Sequence, residues 1–383
     1  MMRSKLTMIA CFGALAGLHM QDARAASPLE TLANSMQPGT WATLTTNNIN
    51  ATLGPTYGGS SQNALAEGPK MLWDPITKKV LFFGSDHCDI ALFVTYDAAT
   101  NTWQREPRAS WMLPQTAYCN GMMHGEDLAS INPAAGNYYY REFFLYSRNV
   151  HRYNTTSKTW TDLPLMGGAN DYIESSVGVE FFPEMNSLVV VNGGGGVPAQ
   201  NKIYVYSETT GQWTTIPLGQ SGPGDSYRNF ARYNPVHKVV LFSIVGFGDR
   251  RLWKLDASGT VTRLRDAPIG LGIMCPCDAP AVILLADPVT GDYIVIEKDT
   301  KALWRYDVVT DTWTKTSTQV PASVFTTAYD ANVIFSVSVA TISTYGVHWF
   351  TSCDHSSCRV NLYKYAQGPA VQAPNPPSAL SAN

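Results

Sequence analysis

The sequence predicts an all-β protein, a propeller of six four-stranded blades whose N-terminal strand closes the ring. Two observations predict it. A phrase recurs along the chain: a Tyr, a short polar turn, and a Trp seven residues after the Tyr, at Tyr96–Trp103, Tyr153–Trp160, Tyr206–Trp213 and Tyr306–Trp313. A weaker copy, Leu255 to Val261, is one residue shorter. The anchors at 96, 153, 206, 255 and 306 advance in steps of 57, 53, 49 and 51 residues, a repeat length that fits one propeller blade. The second observation is that the two ends complement each other. The last unit stops at Leu362-Tyr363-Lys364-Tyr365, with Gln372 where a Trp is due, while Gly39-Thr40-Trp41-Ala42-Thr43-Leu44 supplies the missing phrase. Joining the two ends in one blade removes the open sheet edges that would otherwise pair with other chains. Seven blades is the alternative, with a degenerate unit between Leu44 and Leu72.

Each element of a unit has a signal. A turn precedes each Tyr: Trp73-Asp74-Pro75, Asn132-Pro133, Phe182-Pro183, Asn234-Pro235, Asp287-Pro288 and, in the last unit, Tyr329-Asp330. Proline fixes φ and an Asx side chain bonds nearby backbone, so these pairs start turns. The runs that follow, Val80–Phe83, Tyr138–Tyr140, Leu188–Val191, Val239–Phe242 and Tyr293–Ile296, are rich in β-branched and aromatic residues and read as strands. The regular Tyr and Trp positions suit packing in the wedge between blades. In the last unit the path from Asp330 to Tyr365 is 35 residues, against 20 from Pro133 to Tyr153, which predicts that Val339–Arg359 projects as an insertion over one rim.

Composition narrows the function. Charged residues are 15% and the net charge is -3, so no concentrated basic surface is available to bind nucleic acid. Arg3 and Lys5, the apolar run Leu6–Leu18 and Ala23-Arg24-Ala25 have the layout of an export signal, so residues 1–25 are expected to be cleaved and the protein secreted or periplasmic. That run is too short for a permanent span. The domain follows over residues 38–366, then a Pro-, Ala- and Ser-rich tail over 367–383 that suits a flexible end. Without Cys11, six cysteines remain, which in an exported chain suggests disulfides. Cys353 with Cys358 would staple a local loop; Cys88 with Cys119 would tie two neighbouring loops.

If the Asx-Pro and Tyr-to-Trp turns share one rim, the longer links lie on the other, and loops on a rigid frame are where function concentrates. The links carry Ser85-Asp86-His87-Cys88-Asp89, Tyr118 to Asp127, Asn170 to Glu174, Asp225 to Asn229 and Gly248 to Arg251. His87, His124, Tyr227, Arg228 and Arg250 are the candidates for acid–base and charge-stabilising work, since His titrates near neutrality and Arg pairs with carboxylates. Trp111, Tyr118, Glu126, Tyr172, Glu174 and Arg251 are candidate ligand contacts. The bland alternative, in which these groups only cap strands and loops, carries equal weight. No cofactor is expected; Asp86, His87 and Asp89 with His124 and Glu126 would offer ligands to a structural zinc or calcium ion, and metal binding is the rival reading for Cys353-Asp-His-Ser-Ser-Cys358, since His355 lies between its cysteines.

Over residues 38–366 the chain resembles the kelch and galactose-oxidase-like propeller superfamily. The Tyr-to-Trp phrase carries the resemblance, and Gly193-Gly194 matches the kelch diglycine, whereas other units have Gly84-Ser85 or nothing. None of the copper ligands of galactose oxidase is matched. The chain is also similar to secreted propeller polysaccharide lyases in scale, export and its His, Tyr and Arg at the channel mouth. These resemblances imply either a monomeric glycan-binding module, using rings such as Trp111, Tyr118, Tyr172 and Tyr227, or a lyase of uronate polymers. A scaffold for protein partners is the remaining class.

Overall fold

In the computed structural model the described residues are 25–54, 65, 68–84, 91–112, 123–193, 200–218, 229–244, 249–273, 281–297, 300–325, 336–353 and 357–365. Their strands form a six-bladed propeller. A short helix, α1 (Pro28–Ser35), opens the described chain; Ser27 caps it by accepting from the Glu30 amide, and Pro28 occupies its first turn. Strand β1 (Trp41–Leu44) and helix α2 (Ile49–Leu53) follow.

Blade one is β2 (Leu72–Asp74), β3 (Lys79–Gly84), β4 (Leu92–Asp97) and β5 (Thr102–Arg105). Blade two is β6 (Ala129–Asn132), β7 (Asn137–Arg141), β8 (Val150–Asn154) and β9 (Thr159–Asp162). Blade three is β10 (Gly178–Phe182), β11 (Ser187–Gly193), β12 (Asn201–Ser207) and β13 (Gln212–Pro217), and blade four is β14 (Phe230–Asn234), β15 (Val239–Ser243), β16 (Trp253–Asp256) and β17 (Val261–Arg263). Blade five adds a short parallel strand, β18 (Gly272–Ile273), to β19 (Ala281–Ala286), β20 (Tyr293–Glu297), β21 (Ala302–Asp307) and β22 (Thr312–Gln319). Blade six is β23 (Ser336–Ile342), β24 (Val347–Cys353) and β25 (Cys358–Lys364), completed by β1.

The repeated phrase has a local cause. In each full copy the Tyr and Trp are direct cross-strand partners, as in Tyr96 with Trp103 and Tyr306 with Trp313. In these two copies the turn is held by its Asp, since Asp97 accepts from the Ala99 amide at 2.8 Å and Asp307 from the Val309 amide at 2.8 Å. The Tyr96 hydroxyl donates to Asn101 at 2.8 Å, and the Tyr306 hydroxyl to Asp311 at 2.7 Å. Asn101 and Asp311 both sit in the left-handed region, at φ 55° and 54°. Asx residues tolerate that conformation, and the ring hydroxyl fixes it. On the same rim the Asx-Pro pairs behave as expected: Asp74, Asn132, Asn234 and Asp287 each accept from the amide two residues on.

Aromatic rings fill the wedges. Tyr96 lies 4.8 Å from Trp349 across blades one and six, and Phe93 lies 4.8 Å from Tyr153 across blades one and two. Near the axis β10 and β14 approach so closely that a Cβ on Gly178 would stand 2.4 Å from the Phe230 carbonyl carbon. Only glycine fits there.

The ring closes as the chain ends imply. Strand β1 pairs antiparallel with β25, Trp41 opposite Tyr363, and the Trp41 ring packs 5.0 Å from Phe350. The chain then crosses the seam: Asn47 exchanges backbone bonds with Asn101 and Trp103, and Arg105 donates to Thr52 and Ala51. A second fastening lies at the axis, where Met71 and Val339 of blades one and six are joined by a 2.8 Å backbone bond.

The last blade corrects one expectation. Val339–Arg359 is no insertion: it supplies most of β23, all of β24 and the start of β25. The blade turns at Ser343–Tyr345, with Gly346 at φ 66°, rather than at Tyr329-Asp330, which lies outside the described residues. That corner lacks the Asx-Pro signal because a single 3₁₀ turn and a left-handed glycine replace it. Cys353 and Cys358 are bonded, stapling the β24–β25 link. Cys88 and Cys119 lie outside the described residues, as do most of the export signal and the tail. No described helix is long and apolar enough to cross a membrane.

Four charges from four blades meet at the axis. Lys70 pairs with Glu180 at 2.5 Å and lies 3.7 Å from Asp127, which also binds Arg232. Arg232 donates onward to the Leu284 carbonyl of blade five at 3.1 Å. Burial pushes the Glu180 carboxyl up, against the pull of Lys70 and Arg232.

Two outcomes follow from this packing. Replacing Trp41 with Ala should destabilise the protein by about 2–4 kcal/mol, the cost of emptying a large aromatic site that is partly exposed, read from the chemical denaturation midpoint. Buried His348, against Tyr365 at 4.5 Å, has its pKa lowered from 6.5 to about 3 by burial and then by the Arg305 charge. Between those values the unfolded chain takes up a proton that the folded chain refuses. Stability should therefore fall as pH drops from 6.5 toward 3, by on the order of 4 kcal/mol, with no contribution above 6.5. His348→Gln should flatten that acid limb in denaturation curves at pH 7, 5 and 4.

Candidate functional site

The loop rim opposite the turns gathers most of its described candidates around blade two. The link from β7 to β8, residues 142–149, and the link from β9 to β10, residues 163–177, are locked together. Arg141, completely buried, donates to the Ser175 carbonyl at 2.6 Å and to the Phe144 and Ser147 carbonyls at 3.0 Å. Burial lowers its pKa to about 10, so it stays charged at neutral pH, helped by Tyr140, Glu142, Glu126 and Glu174. Arg148 donates to the Met166 carbonyl at 2.7 Å and the Gly167 carbonyl at 2.5 Å. The Tyr146 amide donates to the Ile173 carbonyl at 2.8 Å.

That lock presents two tyrosines. Tyr146 is held at φ 62° and is 57% exposed as a residue, and its ring meets Tyr172 edge-on at 5.2 Å. Bulky residues rarely adopt this backbone conformation. Tyr172 is pinned at both backbone groups, its amide donating to Gln200 at 3.1 Å and its carbonyl accepting from Asn192 at 2.8 Å. The neighbouring Asp171 accepts from Lys202 at 2.9 Å, Tyr204 at 3.0 Å and the Gly168 amide at 3.0 Å. Burial pushes the Asp171 carboxyl up, but those bonds outweigh it and hold it below the usual carboxylate range.

The structure sorts the residues expected from sequence. His124, Glu126, Tyr172 and Glu174 fall around the Arg141 anchor. His124 meets Glu126 at 3.2 Å, and its ring lies on Phe143 at 3.9 Å. It is 1% exposed, and its carbonyl accepts from the Tyr140 hydroxyl. Glu174 is buried, and its amide donates to Asn192 at 2.9 Å. Arg250 and Arg251 lie in the blade-four loop on the same rim, Arg250 exposed and Arg251 paired with Asp249 at 2.6 Å. Trp111 is packed between blades one and two, with its ring stacked on His151 at 3.8 Å and edge-on to Trp160 at 5.1 Å. His87, Tyr118, Tyr227 and Arg228 lie outside the described residues, as do Asp86 and Asp89 of the ligand set considered for a zinc or calcium ion.

Tyr146 was missed from sequence. The only signal was the run Phe143-Phe144-Leu145-Tyr146 in a link where polar residues are usual; its left-handed backbone has no sequence mark.

The fold and this site define the class: a six-bladed β-propeller with a braced aromatic platform on its loop rim. No protein-family model matches the chain, and no curated protein sequence matches it. Among solved structures it is similar to a protein of unknown function from Bacteroides thetaiotaomicron, at 13% identity and TM-score 0.51 over 84% of this chain and 75% of that one. It is also similar to a fungal alcohol oxidase of the AA5 family in complex with copper, at 11% identity and TM-score 0.46, covering 81% and 77% of the two chains. Virginiamycin B lyase from Staphylococcus aureus is similar at 11% identity and TM-score 0.46, covering 78% and 95%. At these identities the likeness concerns the fold alone.

The lock itself is testable. Arg141→Met keeps the side-chain length but leaves one buried and two part-buried carbonyls without their donor, which should cost about 3 kcal/mol or more. Hydrogen exchange at the Tyr146 amide should accelerate beyond the change at β7, showing that the link has come loose from its neighbour.

Proposed function

We propose that the protein is a kelch-type, carbohydrate-binding β-propeller, exported and monomeric, with Tyr146 and Tyr172 as its sugar-stacking platform. The observation that carries this reading is Tyr146, a bulky residue kept in a strained conformation yet more than half exposed. Strain of that kind costs of order 1–3 kcal/mol and persists where the surrounding structure over-determines it, typically at functional sites. A sugar ring offers an apolar C–H face to an aromatic ring and hydroxyls around its edge. Asp171 and Lys202, beside Tyr172, have the chemistry to meet those hydroxyls. Because both tyrosine backbones are already fixed, little ordering remains to oppose binding.

Binding ranks ahead of β-elimination on a uronate polymer. The lyase alternative needs a base that reaches the proton α to a carboxylate. His124, the candidate among the described residues, is buried with its ring against Phe143.

The test is retention on immobilised neutral and uronate-containing polysaccharides. Tyr146→Ala and Tyr172→Ala should each weaken retention about tenfold, roughly 1.4 kcal/mol, while Tyr146→Phe retains it. Unchanged retention in both alanine variants would rule out the platform. An absorbance rise from an unsaturated product, lost in His124→Ala, would replace binding with cleavage.

A further inference from the structure

The Asx-Pro corners carry a feature that the loop-rim site does not use. Pro75, Pro133, Pro183, Pro235 and Pro288, one from each of blades one to five, all line a single cavity of about 430 Å³ on the propeller axis. That volume lies within the range of about 300–1,000 Å³ usual for small-molecule sites. In blade six, whose corner has no proline, Ser343 takes the corresponding place. A proline offers a rigid apolar ring and no N–H, so this mouth is preorganised and its rim apolar. The walls are apolar, with Trp73, Phe181, Leu285 and Val339 among them, and Lys70, Glu180 and Arg232 stand at the inner end.

Those charges do not use all their hydrogen-bonding capacity on each other. Arg232 commits Nε to the Leu284 carbonyl and Nη1 to Asp127 and the Ala231 carbonyl, so that among the described residues Nη2 has no acceptor. Glu180 commits Oε2 to Lys70, and its Oε1 has no donor among the described residues. Nearer the mouth, Glu184 accepts from the Tyr233 hydroxyl and pairs with Lys238 through Oε1, while its Oε2 is buried without a bond. Glu184 Oε2 is therefore a buried acceptor whose missing bond a ligand donor would supply.

We propose that this axial cavity binds a small neutral molecule with an apolar body and a carboxamide-type head, whose carbonyl accepts from Arg232 Nη2 and whose N–H groups donate to Glu184 Oε2 or Glu180 Oε1. Neutrality follows from charge balance. Lys70, Arg232 and Lys238 face Asp127, Glu180 and Glu184, three positive against three negative, so a charged ligand would bring an uncompensated charge into an apolar cavity. The site lies on the opposite rim from the tyrosine platform and does not depend on the glycan reading.

The experiment is ligand-observed NMR on the full chain with benzamide, benzoate, benzylamine and toluene, which share a ring and differ in the head. Benzamide should bind at least about tenfold more tightly than each of the others. Ser343→Trp should fill the mouth and abolish binding. Glu184→Gln, which keeps the shape and removes the charge, should narrow the gap between benzamide and benzoate. Benzoate or benzylamine binding as tightly as benzamide overturns the assigned head group. Absence of benzamide binding, or binding unchanged by both Glu184→Gln and Glu180→Gln, overturns the site; those two variants decide the matter alone if Ser343→Trp fails to fold.

Discussion

The ion network at the propeller axis is the constraint on which the rest of the ring depends. Lys70, Asp127, Glu180 and Arg232 come from four blades, and the Arg232 bond to Leu284 brings in a fifth. Charges stripped of water are costly singly and tolerable only when every partner is in place. The network is therefore weak as a source of net stability and strong as a specifier of geometry. Blades that slid or tilted relative to one another would leave a charge uncovered. Blade six joins through the backbone bonds between Val339 and the chain around Lys70.

With the axis specified, the two rims take different work. Short corners, held by buried Asx side chains and proline, make the turn rim compact and leave only a small axial opening. The loop rim receives the longer links, and buried polar side chains brace them. Arg141 holds three carbonyls from two links, and Asn192 ties the Tyr172 carbonyl to blade three. Such side chains do from within what a neighbouring strand does elsewhere, satisfying backbone groups that cannot reach water. That bracing lets an exposed tyrosine remain in a left-handed conformation.

Much of the architecture was legible because it is written in local chemistry that repeats. The Tyr-to-Trp phrase encodes a hairpin whose partners are cross-strand neighbours, and each Asx-Pro pair encodes a corner. The strand at Trp41 was legible from an incomplete unit at one end and an orphan phrase at the other. The corner at Ser343–Tyr345 was not, because it has neither Asx nor proline, whereas Tyr329-Asp330 upstream carries an Asx signal. That misplaced corner turned three ordinary strands into an expected insertion. Among site residues, His124, Glu126, Tyr172 and Glu174 were found by position in the links, but Trp111 proved to be wedge packing against His151.

The sequence by itself determined the blade and the way the ring closes, since these follow from spacing, turn chemistry and complementary ends, while the choice of six blades over seven came from the structure. Tertiary structure alone decided which side chains meet. Lys70 and Glu180 are 110 residues apart in the chain and 2.5 Å apart at the axis, and Tyr146 and Tyr172 meet only because buried Arg141 draws two links together. Local patterns specify local geometry. Which charges converge, which oxygen is left without a donor and which ring stays in solvent depend on the ring as a whole, because burial and desolvation are properties of the assembled blades.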